Sequence, residues 1–147
     1  MIDEAQTLAE RCAQAMYARD RASQSAGMII DAVAPGYAKV SMTLVPEMIN
    51  GHHTAHGGAI FALADSAFAF ACNSRNVASV AQHCSITYVS AGREGERLVV
   101  ECRETNLTGR FGIYDATVTG GDGRVVALFR GYSAAVRGNV IDGKEPW

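Results

Sequence analysis

From Ala59 to Cys72 the chain is apolar almost without interruption: only Asp65 and Ser66 are polar, and there is no glycine or proline. An alanine-rich run favours helix, and this one is longer than an ordinary strand. It predicts a helix that starts near His56–Gly58 and covers about residues 57–72. A helix that is apolar on every side must be enclosed by other structure. The rest of the chain has to supply the wrapping, and Asp65 has to be accounted for inside it.

The flanking patterns supply such a wrapping. Ala5, Leu8, Ala9, Cys12, Ala15 and Met16 recur at helical spacing, which predicts a helix over about residues 3–20 with Asp3 and Glu4 in its first turn. Residues 28–33 read as a strand and Pro35-Gly36 as a turn. In Tyr37–Val45, Ala38, Val40, Met42 and Leu44 alternate with Lys39, Ser41 and Thr43, as in a strand with one buried face. Beyond the helix, Val77–Ser90, Leu98–Asn106, Phe111–Thr119 and Arg124–Val136 are β-branched or alternating. Gly92, Gly95, Gly109 and the hairpin signal Thr119–Gly123 punctuate them. Strands in succession, with no helices between, predict an antiparallel sheet. The expected fold is α+β: one domain over residues 1–147, an antiparallel sheet wrapped around a long central helix, and residues 139–147 as a C-terminal tail.

Composition narrows the partners. A net charge of -2 gives no reason to expect nucleic acid or an anionic membrane. Cys12, Cys72, Cys84 and Cys102 form no C-x-x-C pair and fall in apolar patterns, as expected for reduced thiols of a cytoplasmic protein. The opening MIDEAQTLAERC is acidic and amphipathic rather than leader-like, and the longest apolar run is too short for a membrane span.

Asp65 lies about two turns into the helix, too far along to cap its N-terminus. Its own face, spaced by four, is Phe61, Asp65 and Ala69, with no companion charge. A carboxylate there is costly to bury without a partner or a task. The readings are a subunit contact, an internal hydrogen bond, or chemistry. Gly57-Gly58 lets the backbone approach a ligand where unpaired N–H groups carry partial positive charge. A carbonyl polarised there, with a carboxylate farther along the helix, suits acyl transfer or hydrolysis, Asp65 attacking directly or activating water. His52 and His56 have the spacing of zinc ligands, but His53 stands where that motif needs glutamate, and the glycines oppose a helix through them. No metal or other cofactor is expected. His56 and Asn50 instead suit shaping the loop or bonding to substrate or water. G-x-S-x-G, P-loop and G-x-G-x-x-G motifs are all missing from the sequence.

The stretch NGHHTAHGGAIFALADSAFAFACNS, with the later CSITYVSAG and VALFRGYS, resembles the hot-dog-fold acyl-CoA thioesterases, in particular their phenylacetic-acid-degradation subgroup, over about residues 25–137. The resemblance implies that Asp65 is the catalytic carboxylate and that the Gly57 N–H polarises the thioester carbonyl, with His56 and Asn50 ordering loop and water. It implies an acyl-CoA substrate, phenylacetyl-CoA or a ring-hydroxylated form first, with hydroxybenzoyl- and medium-chain acyl-CoA as alternatives and a non-catalytic acyl-CoA binder as a third. It also implies sites at a homodimer interface, within a homotetramer. By position, the CoA arm would lie along Tyr88, Ser90 and Arg93 and along Thr108, Gly109 and Arg110, with Arg93 and Arg110 toward phosphate. Some relatives carry serine or threonine near Ala81-Gln82-His83, which leaves the residue assisting Asp65 from a second subunit open.

Overall fold

A computed structural model describes residues 3–141. The elements run α1 (Glu4–Arg19), α2 (Arg21–Ser25), β1 (Ile29–Ala34), β2 (Tyr37–Thr43), a 3-10 turn at Pro46–Met48, α3 (Gly57–Cys72), β3 (Ser79–Tyr88), β4 (Arg97–Thr108), β5 (Phe111–Thr119) and β6 (Val125–Ala135). The six strands make one sheet in the order β1-β2-β4-β5-β6-β3, antiparallel throughout. This is the expected α+β architecture, and α3 has the predicted ends.

Alternation along the strands aims one face of the sheet at α3. Val40 and Met42 of β2, Leu98 and Val100 of β4 and Val118 of β5 are buried with Leu63, Ala64, Ala67 and Phe68 of the helix. Phe68 stacks on Tyr114 and Phe129 at 5.5 and 5.8 Å between ring centroids. Helix and sheet come so close here that a Cβ on Gly131 of β6 would lie 2.8 Å from the Phe68 ring. Glycine is what lets β6 pass beneath it.

The two edges of the sheet are treated differently. On β1, α1 covers the edge and satisfies two carbonyls: Tyr17 Oη donates to the Met28 carbonyl at 2.6 Å and Gln6 Nε2 to that of Val33 at 2.7 Å. On β3, the backbone from Val80 to Tyr88 pairs with β6 and, among the described residues, with nothing else.

The helix predicted over about residues 3–20 spans Glu4–Arg19, and the short, unpredicted α2 follows; two other expectations are corrected. The Asp20 side chain caps α2, so the chain restarts a helix at a favoured N-cap residue. The central helix is not enclosed by its own chain. Gly58 and Ala62 are exposed, and Gly57, Phe61, Asp65 and Ala69 are only partly covered, because the sheet and α2 leave one stripe open. The tail does not begin free at residue 139. Val140 is buried, and Asn139 Nδ2 and the Ile141 N–H bond to the carbonyl and side-chain oxygen of Asn76 at 2.8 and 2.7 Å. The remainder of that segment, residues 142–147, lies outside the described residues.

Candidate active site

The loop before α3 is closed by its own polar groups. An Ile49–Ala55 bridge pinches it shut, and the Asn50 N–H bonds to the Thr54 carbonyl at 2.8 Å. Asn50 Oδ1 accepts from the N–H groups of His52 (2.9 Å) and Thr54 (3.2 Å), the hydrogen-bonding habit that suits asparagine to tight turns. Asn50 is thus spent largely on ordering the loop. Its amide nitrogen makes one long bond, 3.4 Å to the Ala55 carbonyl.

The loop delivers His56 as the N-cap of α3, at φ -61° and ψ 133°. Its Nδ1 accepts from the Gly58 N–H at 2.9 Å, so that nitrogen carries the lone pair. The first four N–H groups of the helix are then unequal. Ala59 and Ile60 donate to the His56 carbonyl at 2.9 and 3.3 Å, and Gly58 is capped. Gly57 alone of the four has no acceptor among the described residues. It belongs to the peptide whose carbonyl takes both of those bonds, which polarises its N–H further. The helix therefore presents one free donor at its positive end.

Gly57 lines a cleft of about 410 Å³ with Asn50, Ile60, Tyr88, Ser90 and Ala91. Four of the predicted site residues thus meet in one place, but two of them differ from expectation in what they offer. The Tyr88 hydroxyl donates to the Gly57 carbonyl at 2.8 Å, bracing the helix start rather than standing free, although the residue is 49% exposed. The Ser90 hydroxyl donates to the Val125 carbonyl at 2.6 Å, tying the wall of the cleft to β6.

Asp65 is not in this cleft. Eight residues beyond Gly57, it lies about 12 Å along the helix axis. It sits on the open stripe, partly buried, with no hydrogen bond or ion pair among the described residues. Burial first, and the negative charge of Asp20 second, hold its carboxyl above the usual carboxylate range. Its charge in turn helps raise the thiol of Cys84 on β3, after burial, which puts Asp65 on the β3 side of the helix. Phe61 lies between Gly57 and Asp65 on the same stripe, edge-on to Phe129 at 5.6 Å.

The other predicted residues are scattered. Arg93 is exposed in the turn before β4. Thr108, Gly109 and Arg110 form the β4–β5 turn at the opposite end of the sheet. Tyr88 pairs with Ala127 and Phe111 with Ala134, seven residues farther along β6, which is about 24 Å of strand. Arg110 bonds to the Ala135 carbonyl at 3.3 Å and lies over the Phe111 ring. One chain does not bring these two groups together. His83 follows an irregularity in the β3–β6 register and stacks on Tyr132 at 5.4 Å.

One element beside the cleft was not legible in the sequence. Behind the cleft, Arg124 donates to both oxygens of Glu96 (2.7 and 2.8 Å), to Asp122 (2.7 Å) and to the Ala91 carbonyl (2.6 Å). Glu96 and Arg124 lie 28 residues apart, just before β4 and β6. Only the strand order makes them neighbours.

Comparison with known proteins agrees with the fold. Residues 52–127 match the family model described as the thioesterase superfamily. The chain is 38% identical over 128 residues to the acyl-coenzyme A thioesterase PaaI of Escherichia coli K12, covering 87% of this chain and 91% of that one. The solved structure of E. coli PaaI, described as from the phenylacetic acid degradation operon, superposes with a TM-score of 0.91 over 92% of this chain and 99% of the other, at 37% identity. A Streptococcus mutans protein bound to acetyl CoA superposes with a TM-score of 0.73 at 25% identity, over 76% of this chain and 90% of the other.

Proposed function

We propose a specific chemistry for this chain, which belongs to the thioesterase superfamily and is an acyl-CoA thioester hydrolase of the hot-dog fold: it hydrolyses an arylacetyl thioester, phenylacetyl-CoA or a ring-hydroxylated derivative. The observation that carries this is a Gly57 N–H that is free, among the described residues, at the positive end of an apolar helix whose one acid, Asp65, has no partner among them. The thioester oxygen accepts from Gly57, where a fixed donor meets the charge that develops as the carbonyl carbon is attacked. Asp65 either takes a proton from the attacking water or attacks itself, forming an anhydride that water opens. The C–S bond breaks, CoA leaves as thiolate and takes up a proton, and water supplies the second oxygen of the acid. Hydrolysis balances with water alone, so the proposed mechanism needs no metal or redox cofactor.

A single chain cannot hold one carbonyl against both groups, since reacting atoms must approach to about 3 Å and Gly57 and Asp65 lie about 12 Å apart along the helix. The working unit is therefore a homodimer in which Gly57 of one protomer faces Asp65 of its partner, and two such dimers make a homotetramer. The CoA arm runs along Tyr88, Ser90 and Arg93 of one protomer toward Thr108, Gly109 and Arg110 of the other, with the two arginines toward phosphate. Half-open Phe61, between donor and acid, supports an aromatic acyl group, as does the phenylacetic acid degradation context of the E. coli relative. No helix among the described residues is long and apolar enough to cross a membrane. Four unpaired thiols support a cytoplasmic site of action.

The test is Asp65→Asn, which keeps shape and removes charge. Turnover should fall by about 10³ or more on the best thioester, and near-normal turnover would remove Asp65 from the mechanism. Comparing kcat/KM over phenylacetyl-, hydroxyphenylacetyl-, hydroxybenzoyl- and medium-chain thioesters settles the acyl group. A preference for either of the last two refutes the arylacetyl assignment.

A further inference from the structure

We infer that Asp20, in the N-terminal segment, is a positioning residue for this reaction, acting on Asp65 through Ser23 and Ser66 and through its own charge; this rests on Asp65 being the reacting carboxylate. Asp20 stands between α1 and α2. Its N–H closes α1 on the Tyr17 carbonyl at 3.1 Å, and its carboxylate opens α2, accepting the Ser23 N–H at 2.9 Å. The same carboxylate accepts the Ser23 hydroxyl at 2.6 Å, and Ser23 Oγ lies 2.8 Å from Ser66 Oγ on α3. Ser23 has one hydroxyl proton, and the carboxylate takes it. Ser66 must therefore donate to Ser23, and the chain of bonds runs one way, from Ser66 to Ser23 to Asp20.

Several features set this apart from ordinary packing. Ser23 is 1% exposed, and an alanine there would cover the same surface without a buried hydroxyl to satisfy. The chain starts on the residue that follows Asp65, so it fixes the helical turn that carries the reacting acid. It also ends on a second carboxylate, whose charge adds to burial in raising Asp65. Among the described residues, the other groups whose titration Asp65 affects are thiols, Cys84 from β3 and Cys72 from its own helix. Both are held protonated by burial first and by Asp65 in part. Burial does most to keep Asp65 basic and the charge of Asp20 adds to it, which favours proton abstraction or attack.

The sign follows directly. Asp65 works ionised, so kcat/KM rises with pH through its titration. A neighbouring negative charge moves that limb up, and removing the charge moves it down. Asp20→Asn keeps an N-capping oxygen and loses the charge; Asp20→Ser is a second neutral cap if asparagine does not fold. The pH profile of kcat/KM for native, Asp20→Asn and Asp65→Asn enzymes decides the matter. The expected result is an acid limb at lower pH in the Asp20 variant and a plateau about two- to five-fold lower, from a less basic acid, with an unchanged circular dichroism spectrum. An acid limb coincident with the native one, with Asp65→Asn inactive, overturns the role of Asp20. An active Asp65→Asn enzyme removes the premise instead.

Discussion

Gly57 combines two properties, room for Tyr88 and a free N–H, and two substitutions pull them apart. A Cβ at this position would lie 3.0 Å from the Tyr88 hydroxyl, so alanine and proline both push the tyrosine aside. Only proline deletes the donor. Gly57 is the first helical residue and His56 before it is extended, so proline suits the site conformationally. Gly57→Ala should keep kcat within several-fold, whereas Gly57→Pro should lose about 10² to 10³ in kcat, the cost of one oxyanion donor, with Tm within a few degrees of native. Equal losses in both would shift the effect to Tyr88 and end the donor assignment. Residues of this kind are legible in sequence for a physical reason: Asp65 breaks an apolar pattern, and paired glycines break helix propensity. Ser90 and Tyr88 break nothing and stand out only through the family resemblance; their hydroxyls are committed to groups far along the chain, which no local pattern records. Asp20 is a local N-cap, and only the contact of Ser23 with Ser66, 43 residues away, ties it to α3.

The segment between β3 and β4 is the wall of the cleft, and it has no regular structure to hold it. The Val89 and Ser90 N–H groups bond to the Val126 carbonyl, and the Gly92 carbonyl accepts the Ala55 N–H at 2.8 Å just before the N-cap of α3. Glu96 fastens the far end, accepting from Arg124, from the Gly121 N–H and from the Arg93 N–H. Arg124 first, and these N–H groups with it, hold the Glu96 carboxyl at about 2 against an ordinary 4.5. A folded value below the unfolded one means stability fully present above 4.5 and lost as the pH falls toward about 2. Glu96→Gln should therefore melt lower than native at pH 7, and its Tm should converge on the native value through that window. Parallel melting curves down the acid range would show that the pair contributes no such stability. Regular elements were legible well beyond this wall: strand periodicity located β2, β4, β5 and β6, and the TGGDG turn located the last hairpin. Pairing was not legible, because nothing in the β3 sequence says that it lies beside β6 rather than β4. The Glu96–Arg124 fastening depends on that pairing of the sheet.

At the scale of the whole molecule, the apolar character of α3 exceeds what one chain can cover, which is why the sequence predicted an enclosed helix and the single chain leaves a stripe open. The open stripe holds Gly57, Phe61, Asp65 and Ala69, and beside it β3 offers an unpaired edge with Cys84 and Ile86 half-buried on the helix side. A free edge next to an exposed apolar stripe is a surface for a second copy. In the proposed dimer, covering it would bring Asp65 of one protomer within reach of the Gly57 cleft of the other, which the helix length forbids within one chain. Complementation distinguishes the two arrangements. Asp65→Asn and Gly57→Pro chains should each be nearly inactive alone. After co-unfolding and refolding in equal amounts, half the dimers are mixed, and in each mixed dimer one site receives both intact residues. Activity should therefore return to about a quarter of native. If Asp65 and Gly57 of the same chain served one site, every site in the mixture would lack one of them. No activity would return, and the shared-site arrangement would be wrong.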